Sequence, residues 1–270
     1  MLREITIGQY YPADSILHKL DPRVKFLGTI VFIVSLFLVK GAAGYALVTV
    51  CLAALIILSK VPFKFMVKGM KAIFFVLIIT MLFNLFLTPG EIIGRWWIFK
   101  VTREGIVQAV RMGIRLTYLV IGSSLMTLTT TPNKLTDAME SLFSPLKVLH
   151  APVHEIAMMM SIALRFIPIL MEETDKIMKA QIARGADFES GNFINRIRNM
   201  VPLLVPLFIS AFRRANDLAL AMETRCYHGG EGRTQMKPLH YEGRDYIAYI
   251  LLAAFLAACI VLHIFGGGWI

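Results

Sequence analysis

The sequence carries little charge for its length. Only 17% of its 270 residues are charged, whereas 57% are apolar. Soluble domains average about 25% charged and about 45–50% apolar residues. This balance excludes an ordinary soluble domain and predicts an integral protein of a lipid bilayer.

Several chemical motifs are also missing. No Gly-x-x-x-x-Gly-Lys-Ser/Thr segment is present, so the chain has no P-loop of its own for a nucleoside triphosphate. The six histidines are scattered, and the helix at His154 lacks the second histidine of a zinc protease. The three cysteines have no metal-ligand spacing, and no Ser/His/Asp or paired-carboxylate pattern is present. We therefore expect no enzyme activity, no cofactor and no metal site on this chain.

A nucleic-acid partner is not expected either, despite the net charge of +10. The basic excess lies in residues 1–131, where it fits attraction to anionic lipid. No basic face is interleaved with stacking aromatic residues, the pattern that nucleic-acid binding requires.

The sequence does contain five apolar runs. About 20 helical residues cross a hydrocarbon core of about 30 Å, and the runs lie near 24–39, 43–58, 72–88, 106–130 and 246–265. They predict an all-α polytopic membrane protein with about five transmembrane helices. The segment RWWIFKVTREG alternates with period two and is rich in aromatics, which predicts a small outer hairpin near 92–103.

The placement of lysine and arginine predicts the orientation. With the N-terminus inside, the short inner segments 1–25 and 59–71 carry eight basic residues and the outer segments carry four. The positive-inside rule then places the N-terminus inside and the C-terminus outside. The predicted organisation is a transmembrane region at 1–131, a cytoplasmic region at 132–245 and a last transmembrane helix at 246–270. Whether 156–171 and 201–212 cross the membrane or only enter it stays open.

Two similar helix ends occur in the polar region. A long helix ends in QIARGAD, where Arg184 meets the negative end of the helix dipole and Gly185 is placed to stop the helix. A second ends in AMETRCYHGG, with Arg225 41 residues later, and this helix could continue to Gly229–Gly230. A single Arg–Gly end is commonly a plain cap. Two such ends on similar helices favour docking of two similar partners, or of two halves of one partner, because a guanidinium presents a planar fork of donors.

The stretch TTTPNKLTDAMESLFSPLKVLHAPVHEIAMMMSIALRFIPILMEETDKIMKAQIARGADF resembles the transmembrane T component of energy-coupling factor (ECF) transporters. The LRFIP segment and the helix-terminal Ala-Arg-Gly carry the resemblance, and YPADSILHKLDPRVKF and VTREG extend it. It implies a non-enzymatic scaffold of an ABC importer in a prokaryotic cell membrane, in which long coupling helices end in arginines. Two partner ATPase subunits would hydrolyse ATP, and a membrane-embedded S component would bind a vitamin or micronutrient.

The resemblance also implies which residues contact these partners. The ATPase-binding residues would be Ala183, Arg184 and Gly185 at the first end and Thr224, Arg225 and Cys226 at the second. The sequence of the second end departs from the Ala-Arg-Gly pattern of the family. A methionine-rich face can re-pack against varied partners. It would contact the S component, or it faces lipid or the protein's own core; its members are Met158, Met159, Met160, Met171 and Met178.

Two other classes stay open at this stage. A stand-alone secondary transporter would need a substrate site near the membrane midplane with broken helices and polar groups, for which Asn84 and Pro168 are the hints. A polytopic membrane enzyme would need a catalytic cluster, which the sequence does not contain.

Overall fold

The computed structural model describes residues 10–39, 41–96, 99–149, 152–186, 188, 193–230, 236 and 238–265. The helices of this part of the chain are α1 (Ile16–Lys19), α2 (Pro22–Leu38), α3 (Ala42–Ser59), α4 (Phe63–Leu87), α5 (Arg103–Thr129), α6 (Pro132–Phe143), α7 (Val153–Ala183), α8 (Phe193–Glu223) and α9 (Gly243–Phe265). The strands are β1 (Ile92–Trp96) and β2 (Phe99–Thr102), and a 3₁₀ turn covers Ser144–Leu149. The predicted fold class, a helical membrane protein with one small hairpin, is confirmed.

All five predicted spans are helices, namely α2, α3, α4, α5 and α9. Of these, α3, α5 and α9 are long and apolar enough to cross a membrane, whereas the apolar part of α4, Ile73–Leu87, is shorter. α7 also qualifies as a span; it contains the stretch 156–171, for which the sequence left open whether it crosses the membrane. Only 6% of the apolar window of α7 is buried within the protein, so this helix needs lipid or a partner to cover it.

The hairpin near 92–103 is confirmed. β1 and β2 pair antiparallel, with Trp96 opposite Phe99 and Arg95 opposite Lys100. α5 follows at once, because the Thr102 hydroxyl oxygen accepts a hydrogen bond from the Gly105 amide at 3.1 Å. This is an N-cap bond, which satisfies one of the free amides of the first helical turn.

The chain forms two compact units. One contains Met139–Pro238, and the other contains Gly8–Ala138 together with Leu239–Ile270. The core of the second unit is built mainly by apolar side chains of α2, α3, α5 and α9, with Met66 of α4 and Leu17 of α1. It includes Leu36, Val48, Leu52, Leu125 and Cys259. α7 and α8 belong to the first unit, which contains both predicted docking ends.

Inside the second unit, a buried carboxylate joins the starts of α2 and α9. Asp245 is 2% exposed and accepts hydrogen bonds from the backbone amides of Asp21 at 2.9 Å and Glu242 at 2.8 Å. Asp21 in turn caps α2, because its Oδ1 accepts from the Arg23 amide at 2.8 Å. The Arg23 guanidinium donates to the Leu239 carbonyl at 2.8 Å. These hydrogen bonds connect the start of α2 to the start of α9 and the residues just before it.

Candidate partner-docking helices

α7 and α8 are the two longest helices of the described chain, each with 31 residues. Both change along their length from an apolar first part to a last part rich in charge. The prediction of one long helix that stops at Arg184–Gly185 is confirmed, since α7 continues through Pro168 to Ala183.

The end of α7 forms a Schellman motif, the common helix stop in which two backbone amides turn back to carbonyls of the last turn. The Gly185 amide donates to the Ile182 carbonyl at 2.9 Å, and the Ala186 amide donates to the Gln181 carbonyl at 3.0 Å. Gly185 has a φ of 88°, a left-handed conformation that glycine adopts without steric cost. Arg184 is the C-cap residue. The predicted stop at Gly185 is therefore confirmed.

The end of α8 has the same construction, although its sequence differs. The Cys226 amide donates to the Glu223 carbonyl at 2.9 Å, and the Tyr227 amide donates to the Met222 carbonyl at 3.1 Å. Cys226 has a φ of 55°, so a cysteine occupies the position that glycine occupies in α7. The His228 ring lies 2.7 Å from the Cys226 carbonyl oxygen, within hydrogen-bond distance.

The expectation that α8 could continue to Gly229–Gly230 is wrong. The helix ends at Glu223, because the two turned-back amide bonds close it at Cys226. Arg225 therefore occupies the same position relative to its helix stop as Arg184. The two helix ends therefore differ in sequence but form the same two backbone hydrogen bonds.

The predicted docking residues lie on the surface. Ala183, Arg184 and Gly185 are exposed, as are Thr224, Arg225 and Cys226. Neither Arg184 nor Arg225 has a side-chain hydrogen bond or ion pair with any residue that the structure describes. Within the described residues, the backbone amides close both helices and neither guanidinium group is paired.

α7 and α8 pack against each other in opposite directions. Arg214 Nη2 donates to Glu173 Oε2 at 2.9 Å, and Gln181 Nε2 donates to the Pro202 carbonyl at 3.4 Å. Residue numbers thus rise along α7 as they fall along α8. The two arginine-bearing ends consequently point away from their contact in opposite directions. Sequence reasoning missed the Glu173–Arg214 ion pair, although the two residues are separated by the same 41 positions as the terminal arginines.

The segment after α8 returns to the start of α7. Gly230 lies against the His154 ring so closely that a Cβ on this glycine would be 2.5 Å from the ring. The Nδ1 atom of His154 lies 2.7 Å from Glu140 Oε1. This contact places the second arginine end near the first turn of α7, far from the first arginine end.

The predicted methionine face differs in exposure along α7. Met159 and Met160 are 57% and 51% exposed, and the other three are partly exposed: Met158, Met171 and Met178. None of the five belongs to the buried core of the described residues. Their contact with an S component stays a prediction.

A polar substrate site near the membrane midplane is not apparent in the described residues. An open groove of about 300 Å³ between α4 and α5 is almost wholly apolar, and its lining consists of Leu77, Met81, Val110, Gly113, Ile114, Thr117 and Tyr118. Asn84, one hint of such a site, donates its amide hydrogen to the Thr80 carbonyl of its own helix at 2.8 Å. No three His, Cys, Asp or Glu side chains of the described ranges are placed to hold a metal ion.

Comparison with known proteins identifies the family. A family model described as cobalt transport protein, CbiQ, matches residues 13–236. The energy-coupling factor transporter transmembrane protein EcfT of Clostridium kluyveri is 52% identical over 269 residues, which cover 99% of this chain and 100% of the relative. The protein of the same name from Bacillus subtilis is 48% identical over 260 residues, 95% of this chain and 98% of the relative. The predicted resemblance is thus confirmed: the chain belongs to the CbiQ family and is a bacterial membrane protein, the transmembrane component of an energy-coupling factor transporter.

Proposed function

We propose that this chain links two ABC-type ATPase subunits to a membrane-embedded, substrate-binding S component. The observation that carries the proposal is the pair of exposed arginines, Arg184 and Arg225, at equivalent stops of two packed helices. Each would dock in one ATPase subunit. ATP hydrolysis would take place on those partners, and the transported solute would be a vitamin or another micronutrient held by the S component.

The chemistry of the two ends supports docking over simple capping. An arginine is always charged and offers a planar fork of donors that matches a carboxylate or a set of carbonyls. The backbone amides already close both helices, so the side chains are not needed for capping. Small neighbours at Ala183 and Gly185 leave room for a partner to approach the first end, whereas Thr224 and Cys226 are bulkier at the second.

The length of the helices suits transmission of movement. A helix of 31 residues is about 46 Å long, so α7 connects the arginine end with Met158, Met159 and Met160, the part of the methionine face near its start. A displacement of either ATPase would tilt its helix as a lever. Met159 and Met160, exposed near the other end of α7, would pass the movement to the S component through a surface that can re-pack.

The orientation is part of the proposal. The ATPases act in the cytoplasm, so residues 132–245 would lie on that side, with the N-terminus inside and the C-terminus outside. Although α7 is long and apolar enough to span a membrane, it would enter the bilayer without crossing it, because a crossing would separate the two arginine ends. The bias of basic residues towards the segments 1–25 and 59–71 supports this arrangement.

Affinity purification in mild detergent tests the proposal. We expect one or two ATP-binding-cassette proteins and a small, very hydrophobic protein to co-purify with the wild-type chain. The double variant Arg184→Ala/Arg225→Ala should reach the membrane normally folded and release the ATPases. Recovery of a stable, transport-active homo-oligomer without such partners would contradict the proposed function.

A further inference from the structure

The ion pair between α7 and α8 lies at equivalent positions of the two helices. Glu173 is 11 residues before Arg184, and Arg214 is 11 residues before Arg225. Their side chains meet at 2.9 Å with 29% and 38% of the glutamate and arginine side chains exposed. The ion pair therefore joins α7 to α8 at two positions that are equally many residues before the terminal arginine of each helix.

This equivalence defines an approximate two-fold axis. In a two-fold arrangement, a residue that contacts its own counterpart must lie at the axis. We call the segments 173–184 of α7 and 214–225 of α8 the two arms. Because α7 and α8 run in opposite directions at their contact, the arms extend from the ion pair to opposite sides. At 1.5 Å per residue each arm is about 16 Å long, so the two arms together extend about 33 Å along the helices.

The charge pattern fits a contact at such an axis. Identical charged residues that meet there would repel each other. Here the 41-residue offset relates residues of opposite sign, since Glu173 corresponds to Arg214. The two arms thus have the same helix stop at their ends and opposite charges at the ion pair.

We infer that the Glu173–Arg214 ion pair is the pivot that holds α7 and α8 at the crossing required for both arginine ends to dock at the same time on two ATPases. The inference rests on the proposed function. Glu173 and Arg214 are positioning residues, because they act through Arg184 and Arg225. Simultaneous docking raises affinity by about 10²–10⁴ when the geometry permits it, and the gain disappears when the geometry does not.

The affinity of the co-purifying ATPases for the detergent-solubilised chain, measured by biolayer interferometry, tests the pivot. Glu173→Gln should weaken binding on the order of tenfold, within the range that simultaneous docking supplies. The exchanged pair Glu173→Arg/Arg214→Glu should recover most of the affinity, because it restores the opposite charges. The matched control Glu172→Gln makes the same charge change at the adjacent, exposed position and should leave binding unchanged.

The decisive comparison repeats Glu173→Gln in a chain that already carries Arg184→Ala. Because Arg184→Ala prevents one helix end from docking, simultaneous docking is already lost, and Glu173→Gln should cause no further loss of affinity. An equal loss in both backgrounds, or no recovery in the exchanged pair, would mean that the ion pair is only structural and would overturn the inference. If Arg184→Ala and Arg225→Ala each leave wild-type affinity unchanged, the proposed docking function itself is wrong.

Discussion

Gly185 and Cys226 occupy the same backbone position, one residue after the terminal arginines of α7 and α8. Both are left-handed, with φ angles of 88° and 55°. A side chain costs about 1–2 kcal/mol in this conformation, so α8 keeps the same helix stop as α7 at a higher conformational cost.

The first prediction concerns this shared position. Cys226→Gly should stabilise the end of α8 by about 0.5–1 kcal/mol, because relief of the left-handed strain exceeds the added chain entropy of glycine. Gly185→Ala should destabilise α7 by about 1 kcal/mol for the opposite reason. Thermal unfolding of the detergent-solubilised protein measures both changes.

Gly243→Ala is the matched control for Gly185→Ala. An added Cβ would meet no atom within 4 Å at either glycine, but only Gly185 has a positive φ. The control should therefore show no loss of stability. Equal losses at both positions would show that backbone conformation is not the cause.

The second prediction separates the geometry of the terminal arginines from their charge. Arg184→Ala should weaken ATPase binding by about 2–5 kcal/mol if the guanidinium is half of a buried, hydrogen-bonded charge pair in the complex. Arg184→Lys should restore only part of this affinity, because an ammonium lacks the planar fork. Titration of the purified ATPases onto each variant measures both effects.

Arg213→Lys provides the comparison for the second prediction. Arg213 is exposed and lies 10 residues before the end of α8 at Glu223, and its replacement should leave ATPase binding unchanged. Full restoration of binding by Arg184→Lys would reduce the role of the arginine to its charge.

The third prediction concerns Asp245, which joins the starts of α2 and α9. Asp245→Ala removes the acceptor of two backbone amides, those of Asp21 and Glu242. A buried donor left without a partner costs about 1–3 kcal/mol, so the thermal midpoint of unfolding should fall clearly. Asp217→Ala, at an exposed position of α8, should have a small effect, and a similar fall in both variants would contradict this role of Asp245.

The fourth prediction uses Cys226 as a natural reporter of topology. Its thiol is free and exposed, whereas Cys51 is partly buried and Cys259 is buried. In vesicles from cells that express this chain without the ATPases, a membrane-impermeant maleimide should label Cys226 when the vesicles are inside-out and not when they are right-side-out, because the proposed orientation places 132–245 in the cytoplasm. Cys226→Ser gives the background labelling.

A second probe completes the topology experiment. Gly267→Cys is introduced into the Cys226→Ser chain, at a position outside the described residues. The new thiol should be labelled only from the outside if the C-terminus is external. Labelling of Cys226 from the outside together with labelling of position 267 from the inside would reverse the proposed orientation.

The sequence was sufficient to predict the membrane class, the five main apolar helices, the hairpin and the stop of α7. Each of these depends on local chemistry. Apolar length decides whether a helix can cross a bilayer, and a glycine after a polar helix end favours the left-handed stop seen at Gly185. The family resemblance also depended on contiguous residues, above all the stretch that ends at Ala183–Arg184–Gly185.

Tertiary structure decided the features that depend on partners distant in sequence. The stop of α8 at Cys226 could not be derived from glycine placement, because a non-glycine residue adopts the left-handed conformation there. The bond from Asp21 to Asp245 spans 224 positions, and the Glu173–Arg214 pair exists only because α7 and α8 pack in opposite directions. Sequence alone determined which segments are helical and where charge is placed along them, whereas only packing decided which of those charges meet, since contact depends on helix direction and crossing.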